Sequence, residues 1–303
     1  MLRNIIPLIF YGNLFYGLCA LALCLETNLQ HQLPPNGPHF YFLTFSITVL
    51  YYSRIYFTTR IANNIEQRSQ WYINYQKPIK KALIVLLALV LIDAIVVIIK
   101  FRNALVNAPI AECLLVLIIP LVGFFYTYKK FPFPQVKQLR AIGWLKPFFI
   151  GFAWSGLVTV YPVFFRQLQS GIAKHQFILP SGLYWFQNFL FISSLAIVFD
   201  IKDHAADLRY GLKTYPALLG VQKTLGAVVV PLTFLSLGVL FLYQQQVQLS
   251  LIQSIIQTIP YVLLLTIIPF LAKKHSILFY LVFVDGLMLI KGICGIISIY
   301  FIK

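Results

Sequence analysis

The chain has 303 residues, of which 60% are hydrophobic, 16% aromatic and only 11% charged. A soluble globule carries about a quarter charged residues, so this composition excludes a water-soluble fold. Lys and Arg number 24 against 8 Asp and Glu, a net charge of +16; in a chain this apolar, the excess points to a membrane surface and not to nucleic acid, whose binders spread basic residues over a polar face.

Lipid offers no partner to a free backbone amide, so a spanning segment is a helix of about 20 apolar residues. Such runs are predicted at 5–25, 40–57, 82–100, 109–128, 147–165, 183–199, 224–243, 253–272 and 277–300. They describe an all-α, polytopic membrane protein, one domain over 1–303 with nine transmembrane helices. The first run also has the basic start and apolar core of a signal peptide, but Asn13 interrupts it and no small-residue cleavage site follows. Pro120, Pro231, Pro260 and Pro269 fall in or near span interiors and predict kinks. Cys19, Cys24, Cys113 and Cys294 sit in apolar runs with no metal spacing and no evident disulfide plan.

The connections fall into two classes. Six basic residues lie between Arg54 and Lys81, five between Lys129 and Lys146, and four between Lys202 and Lys223. With Arg3, Lys273 and Lys274 they put 18 of the 24 on one side. By the positive-inside rule the amino terminus is cytoplasmic and the carboxyl terminus outside, in a cell (inner) membrane. Within the spans, Asp93 and Asp285 are expected to face the bundle and make structural hydrogen bonds. Lys291 is about 120° round the helix from Asp285, so the two are no ready pair, and Lys291 is expected to snorkel to the outer surface. Asn13, Gln187 and Asn188 are expected to bond neighbouring helices.

Acid is scarce, yet Asp200, Asp203 and Asp207 stand together in FDIKDHAADLRYGLKTYPALLG, where the sixth span ends. On a continuous helix these positions lie within about 60° of one another. A helix surface charge normally finds its partner three or four residues away. None of the three has a Lys or Arg there; only His204 is available. Two readings fit: salt bridges to a partner helix, or hard oxygen ligands for a divalent cation such as Mg²⁺, which commonly bridges carboxylates to substrate phosphates. Gly211 can end the helix, after which Lys213 and Thr214 offer an ammonium and a hydroxyl before Pro216. Carboxylates for a metal beside a Lys for phosphate are the parts that hold a diphosphate.

The pattern Asp200-x-x-Asp203-x-x-x-Asp207-x-x-x-Gly211-x-Lys213-Thr214-x-Pro216, followed by Leu218, Leu219 and Gly220, resembles the second aspartate-rich motif of the UbiA superfamily of intramembrane prenyltransferases. Nine spans, with the motif after the sixth, also fit that family over nearly the whole chain. The resemblance implies a helical bundle around a central cavity open to lipid. Aspartate-rich loops after the second and sixth helices would hold Mg²⁺ and the diphosphate of an isoprenyl donor, and an aromatic or lipid acceptor would take the isoprenyl group. It implies Asp200, Asp203, Asp207 and Lys213 as catalytic, the three Asp as metal ligands, and Thr214 as substrate-binding.

The first motif departs. Where the family pattern is Asn-Asp-x-x-Asp-x-x-x-Asp, the best register places Asn63, Asn64, Gln67 and Trp71. An amide oxygen can coordinate a hard cation but brings no charge, and Trp71 brings no ligand. Two expectations follow. In one, the chain remains a prenyltransferase in which Asn63, Asn64 and Gln67 contact substrate, while Arg60, Arg68 or Lys77 replaces part of the missing Mg²⁺ charge. In the other, transfer chemistry is gone, and the bundle binds, transports or scaffolds a prenylated lipid.

Overall fold

The computed structural model describes residues 2–58, 67–127, 142–170 and 179–301, and these are helical with short turns and no strand. In chain order the helices begin with α1 (Leu2–Tyr11), α2 (Leu14–Gln30), α3 (Pro38–Thr58), α4 (Gln67–Asn74), α5 (Gln76–Lys100), α6 (Arg102–Val106) and α7 (Ile110–Thr127). Next come α8 (Lys146–Ser155), α9 (Tyr161–Ser170), α10 (Leu179–Asp200), α11 (His204–Arg209), α12 (Tyr215–Leu219) and α13 (Val221–Thr224). The last are α14 (Val230–Gln246), α15 (Leu251–Leu271), α16 (Ile277–Phe279) and α17 (Gly286–Tyr300).

Over its described residues each predicted apolar run is largely helical, but not each qualifies alone as a span. Among the described residues six helical stretches are long and apolar enough to cross a membrane: Gln76–Lys100, Gly143–Ser170, Ser181–Arg209, Val221–Gln246, Leu251–Leu271 and Ile277–Tyr300. A seventh forms if Ile5–Tyr11 and Leu14–Gln30, bent by 61°, count as one. The runs at α3 and α7 are helical without joining that set. The 61° bend has a local cause. Asn13 takes a left-handed φ of 64°, a conformation that a short amide side chain tolerates better than most.

Three spans widen into π turns, at Gly156–Val160, Leu225–Val229 and Tyr280–Val284. Proline explains two of them. The rings of Pro162 and Pro231 would collide with the carbonyls four residues back, at Val158 and Ala227, and neither proline can donate a hydrogen bond. The Val158 carbonyl is taken by Thr27, whose hydroxyl donates to it at 2.6 Å from a neighbouring span.

α10 lies at the centre, against α8 on one side and α14 on the other, while α17 packs between α2 and α15. α5, packed on α3, turns almost its whole surface outward, as a lipid-facing helix does. Polar interior residues bind across helices as expected. Asn188 donates to Thr159 at 3.0 Å, and Tyr261 donates to Gln187. Asp93 pairs with His39 at 2.6 Å, and Tyr16 donates to Asp285 at 2.5 Å. Lys291 corrects its expectation. It does not snorkel outward; it is 4% exposed and pairs with buried Glu26 of α2 at 3.0 and 3.2 Å. Its partner lies 265 positions away, beyond the reach of a local reading.

Candidate functional site

Asp200 is the last residue of α10, and the helix does not simply continue. The chain tightens into a 3₁₀ turn at Ile201–Asp203 and resumes as α11. A 3₁₀ turn has three residues per turn instead of 3.6, so the stripe drawn on a regular helix is broken at its middle member. Asp200 and Asp207 are buried, while the Asp203 side chain is 41% exposed and pairs with Lys202 at 2.9 Å. Asp203 and Asp207 still lie near enough for their charge to act on Asp200.

The end of α11 follows from its glycine. Gly211 adopts φ +66°, the Leu212 amide donates to the Asp207 carbonyl at 2.9 Å, and the Gly211 amide to the Leu208 carbonyl at 3.3 Å. This is the paired-bond helix stop that glycine favours, because it has no Cβ to clash in the left-handed region. The reversal carries Thr214 back over the helix it has left. Its hydroxyl donates to Asp207 Oδ2 at 2.9 Å, and Pro216 then opens α12. Lys213, one residue earlier, is exposed.

A residue that spacing alone does not reveal completes the cluster. Lys146, at the start of α8 and 54 positions before Asp200, donates to Asp200 Oδ1. It is held there by the Gly143–Leu145 turn, which packs on the motif itself. A Cβ on Gly143 would come within 2.7 Å of the Lys213 carbonyl and the Thr214 amide, so the approach requires glycine. Only the charge count placed Lys146 at the right end of the bundle. The other carboxylate oxygen, Asp200 Oδ2, is buried without a hydrogen-bond partner among the described residues, and so is His204 Nδ1. A buried orphan of this kind costs about 1–3 kcal/mol, more when charged, and its presence calls for a ligand.

The loop after α3 is built differently. Asn63 and Asn64, like Arg60, lie outside the described residues. Gln67, which is exposed, opens α4 and accepts a long hydrogen bond from Tyr11 at 3.4 Å. Arg68 is buried, donates to Asn13 in the bend between α1 and α2, and places its guanidinium 4.7 Å from the Tyr56 ring centre. Asn13 in turn donates to Ser53 at 3.0 Å and Tyr72 at 2.9 Å. Trp71 packs edge-on to Tyr11 with ring centres 6.2 Å apart, as a packing residue and not a ligand. Lys77 is exposed in the first turn of α5.

By sequence, no family model and no curated protein matches the chain. A solved structure, that of a UbiA homolog from Archaeoglobus fulgidus, is similar over 96% of this chain and 98% of its own, with a TM-score of 0.48 and 15% identity. Similarity at that level fixes neither the fold nor the function.

The donor set bears on a metal directly. Among the described residues no group of three His, Cys, Asp or Glu side chains is placed to hold one ion. Mg²⁺ needs fewer: it usually keeps several waters and takes one or two carboxylates together with substrate phosphates. The orphaned oxygen of Asp200, with Asp207 and Asp203 nearby, fits such a partial set. A groove of about 490 Å³ lies elsewhere, at the far end of the Gly143–Ser170 span, between Lys100–Glu112 and Phe164–Ser170, and holds none of these residues.

Proposed function

We propose that the chain is an intramembrane prenyltransferase of the UbiA kind, moving an isoprenyl group from an isoprenyl diphosphate to a hydrophobic aromatic or lipid acceptor. The observation that carries this reading is the buried, half-satisfied carboxylate of Asp200, set among Asp203, Asp207 and Lys146 at the end of a central span. In this reading Asp200, Asp203 and Asp207 hold Mg²⁺, which when bound neutralises the leaving diphosphate. Lys213 and Thr214 bind the diphosphate, with Gln67 and Lys77 as further contacts from the segment after α3; the expected contacts Asn63 and Asn64 lie outside the described residues, and Arg68 is turned into the fold. Lys146 holds Asp200 in place and adds positive charge where the first motif has lost its metal ligands. The surrounding apolar helices supply a lipid-open cavity that accommodates the isoprenoid and keeps water from the allylic cation. The mouth opens to the cytoplasm, following the basic residues.

A second reading has its own support. Arg68 is committed to Asn13 and Tyr56, inside the fold, so the loop after α3 supplies less free charge than its sequence promises. That favours a protein that binds or scaffolds a prenylated lipid without transferring it. One membrane assay separates the two: Mg²⁺-dependent binding of geranylgeranyl diphosphate, followed by turnover, for the parent and for Asp200→Asn. Binding with turnover supports the transferase. Binding without turnover supports the second reading, and Mg²⁺-independent binding that Asp200→Asn leaves unchanged sinks the metal site.

A further inference from the structure

Away from the Asp200 cluster, a second carboxylate is set into the bundle with a constellation of its own. Asp285 precedes α17 and is 6% exposed. Tyr16 of α2 donates to its Oδ2 at 2.5 Å. The Tyr16 ring stacks on Tyr52 of α3, with centres 4.3 Å apart and planes 12° from parallel, and Trp154 of α8 donates its indole N–H to the Tyr52 hydroxyl at 2.6 Å. Three aromatic rings and one carboxylate, contributed by four different helical segments, therefore meet at one place. Asp285 Oδ1 has no hydrogen bond among the described residues. The cations whose charge acts on Asp285 are Arg68, from the loop after α3, and Lys202, from the motif after α10. Both candidate loops thus reach this carboxylate electrostatically.

The backbone singles out the same position. The π turns at Gly156–Val160 and Leu225–Val229 each precede a proline that accounts for them. The third, Tyr280–Val284, has no proline after it and ends on Asp285, whose amide donates five residues back to the Tyr280 carbonyl at 3.0 Å. A π turn costs hydrogen-bond geometry, rotates the side chains that follow it, and occurs often at functional positions. Here its product is the aim of one carboxylate.

Resting on the transferase reading above, we propose that Asp285 is the proton acceptor of the transfer reaction, with Tyr16 as its positioning residue, and that the acceptor's reacting group sits against this aromatic-walled site. During transfer the bond between C1 and oxygen of the donor breaks, and its electron pair leaves with the diphosphate. The nucleophilic carbon or hydroxyl oxygen of the acceptor bonds to C1 and gives up the proton it carried. Asp285 takes that proton on Oδ1, while Tyr16 holds Oδ2. The ring faces of Tyr16, Tyr52 and Trp154 suit a developing allylic cation, which an aromatic quadrupole attracts without offering it a nucleophile.

The test uses native membranes containing the full chain, radiolabelled geranylgeranyl diphosphate and Mg²⁺, with endogenous acceptors supplemented by 1-naphthol. Donor binding and transfer of label into lipid-extractable product are measured separately and normalised to folded protein. Asp285→Asn is expected to bind the donor within about twofold of the parent and to lose about 100-fold or more in transfer, the scale of a removed general base. Asp285→Glu is expected to recover part of that loss, and Tyr16→Phe to lose about tenfold. Transfer by Asp285→Asn at the parent rate overturns the proposal. So does a loss that tracks donor binding or the amount of folded protein, which marks a structural role. Donor binding by the parent with no transfer overturns it while leaving the diphosphate site standing. Failure of the parent to bind the donor removes the transferase reading itself, and this inference with it.

Discussion

The turn after α10 and the segment after α3 carry the two stretches that the sequence sets side by side by motif spacing, yet they handle charge in opposite ways. After α10, acid is gathered and left partly unsatisfied: Asp200 has one oxygen on Lys146 and the other on no partner among the described residues. After α3, the arginine of the segment is folded away. Arg68 is buried on Asn13 and over Tyr56, while Lys77, Lys80 and Lys81 stay exposed on α5. A carboxylate held ready for a ligand and a guanidinium spent on the fold are physically different objects. The comparison teaches that a degenerate motif can be recruited for packing when it no longer supplies ligands.

The largest effect expected on this contrast is from Asp200→Asn, which should weaken Mg²⁺-dependent binding of geranylgeranyl diphosphate by about 100-fold, roughly 2.7 kcal/mol. Equilibrium binding in membranes measures it, and a change under threefold would erase the distinction between the two loops. Next comes Arg68→Leu. It strands the side-chain Oδ1 of Asn13 and removes a charged hydrogen bond, for about 2 kcal/mol of stability, read as a lower unfolding temperature in detergent. Arg68→Lys should recover little, since an ammonium cannot both reach Asn13 and lie flat on Tyr56. Were Arg68→Lys as stable as the parent but unable to bind the donor, Arg68 would join the ligand groups and the contrast would break.

Thr214→Val removes the hydroxyl that donates to Asp207, for about 1 kcal/mol and a few-fold loss in donor binding. The smallest effect is from Lys77→Ala. An exposed charge is screened and worth well under about 1 kcal/mol, so donor binding should weaken by about threefold at low salt and less at high salt, with stability unchanged.

Local features of the site were legible in the sequence, and remote ones were not. Gly211 announced the helix stop, and Pro216 the start of the next helix, because each residue restricts its own backbone wherever it occurs. The acidic cluster stood out against a chain almost free of acid. The divergence of Asp203 was hidden, because a switch from 3.6 to 3.0 residues per turn leaves no mark in spacing. Lys146 was hidden in another way. Charge counting put it at the right end of the bundle, but its approach to Asp200 depends on Gly143 packing against Lys213 and Thr214, a tertiary contact. The same holds for Tyr16 with Asp285. Asp285 stood out as acid within a span while Tyr16 did not, and their meeting is a property of two helices that pack side by side.

The Glu26–Lys291 pair bears on how the chain is made. Ribosomes deliver Glu26 in α2, long before Lys291 arrives in α17, and an ionised side chain buried in a membrane bundle without its partner costs on the order of 3 kcal/mol. Until synthesis ends, the first span carries a debt that only the last can discharge. Assembly is therefore tied to completion: a chain cut before Lys291 leaves Glu26 without the partner that ties α2 to α17.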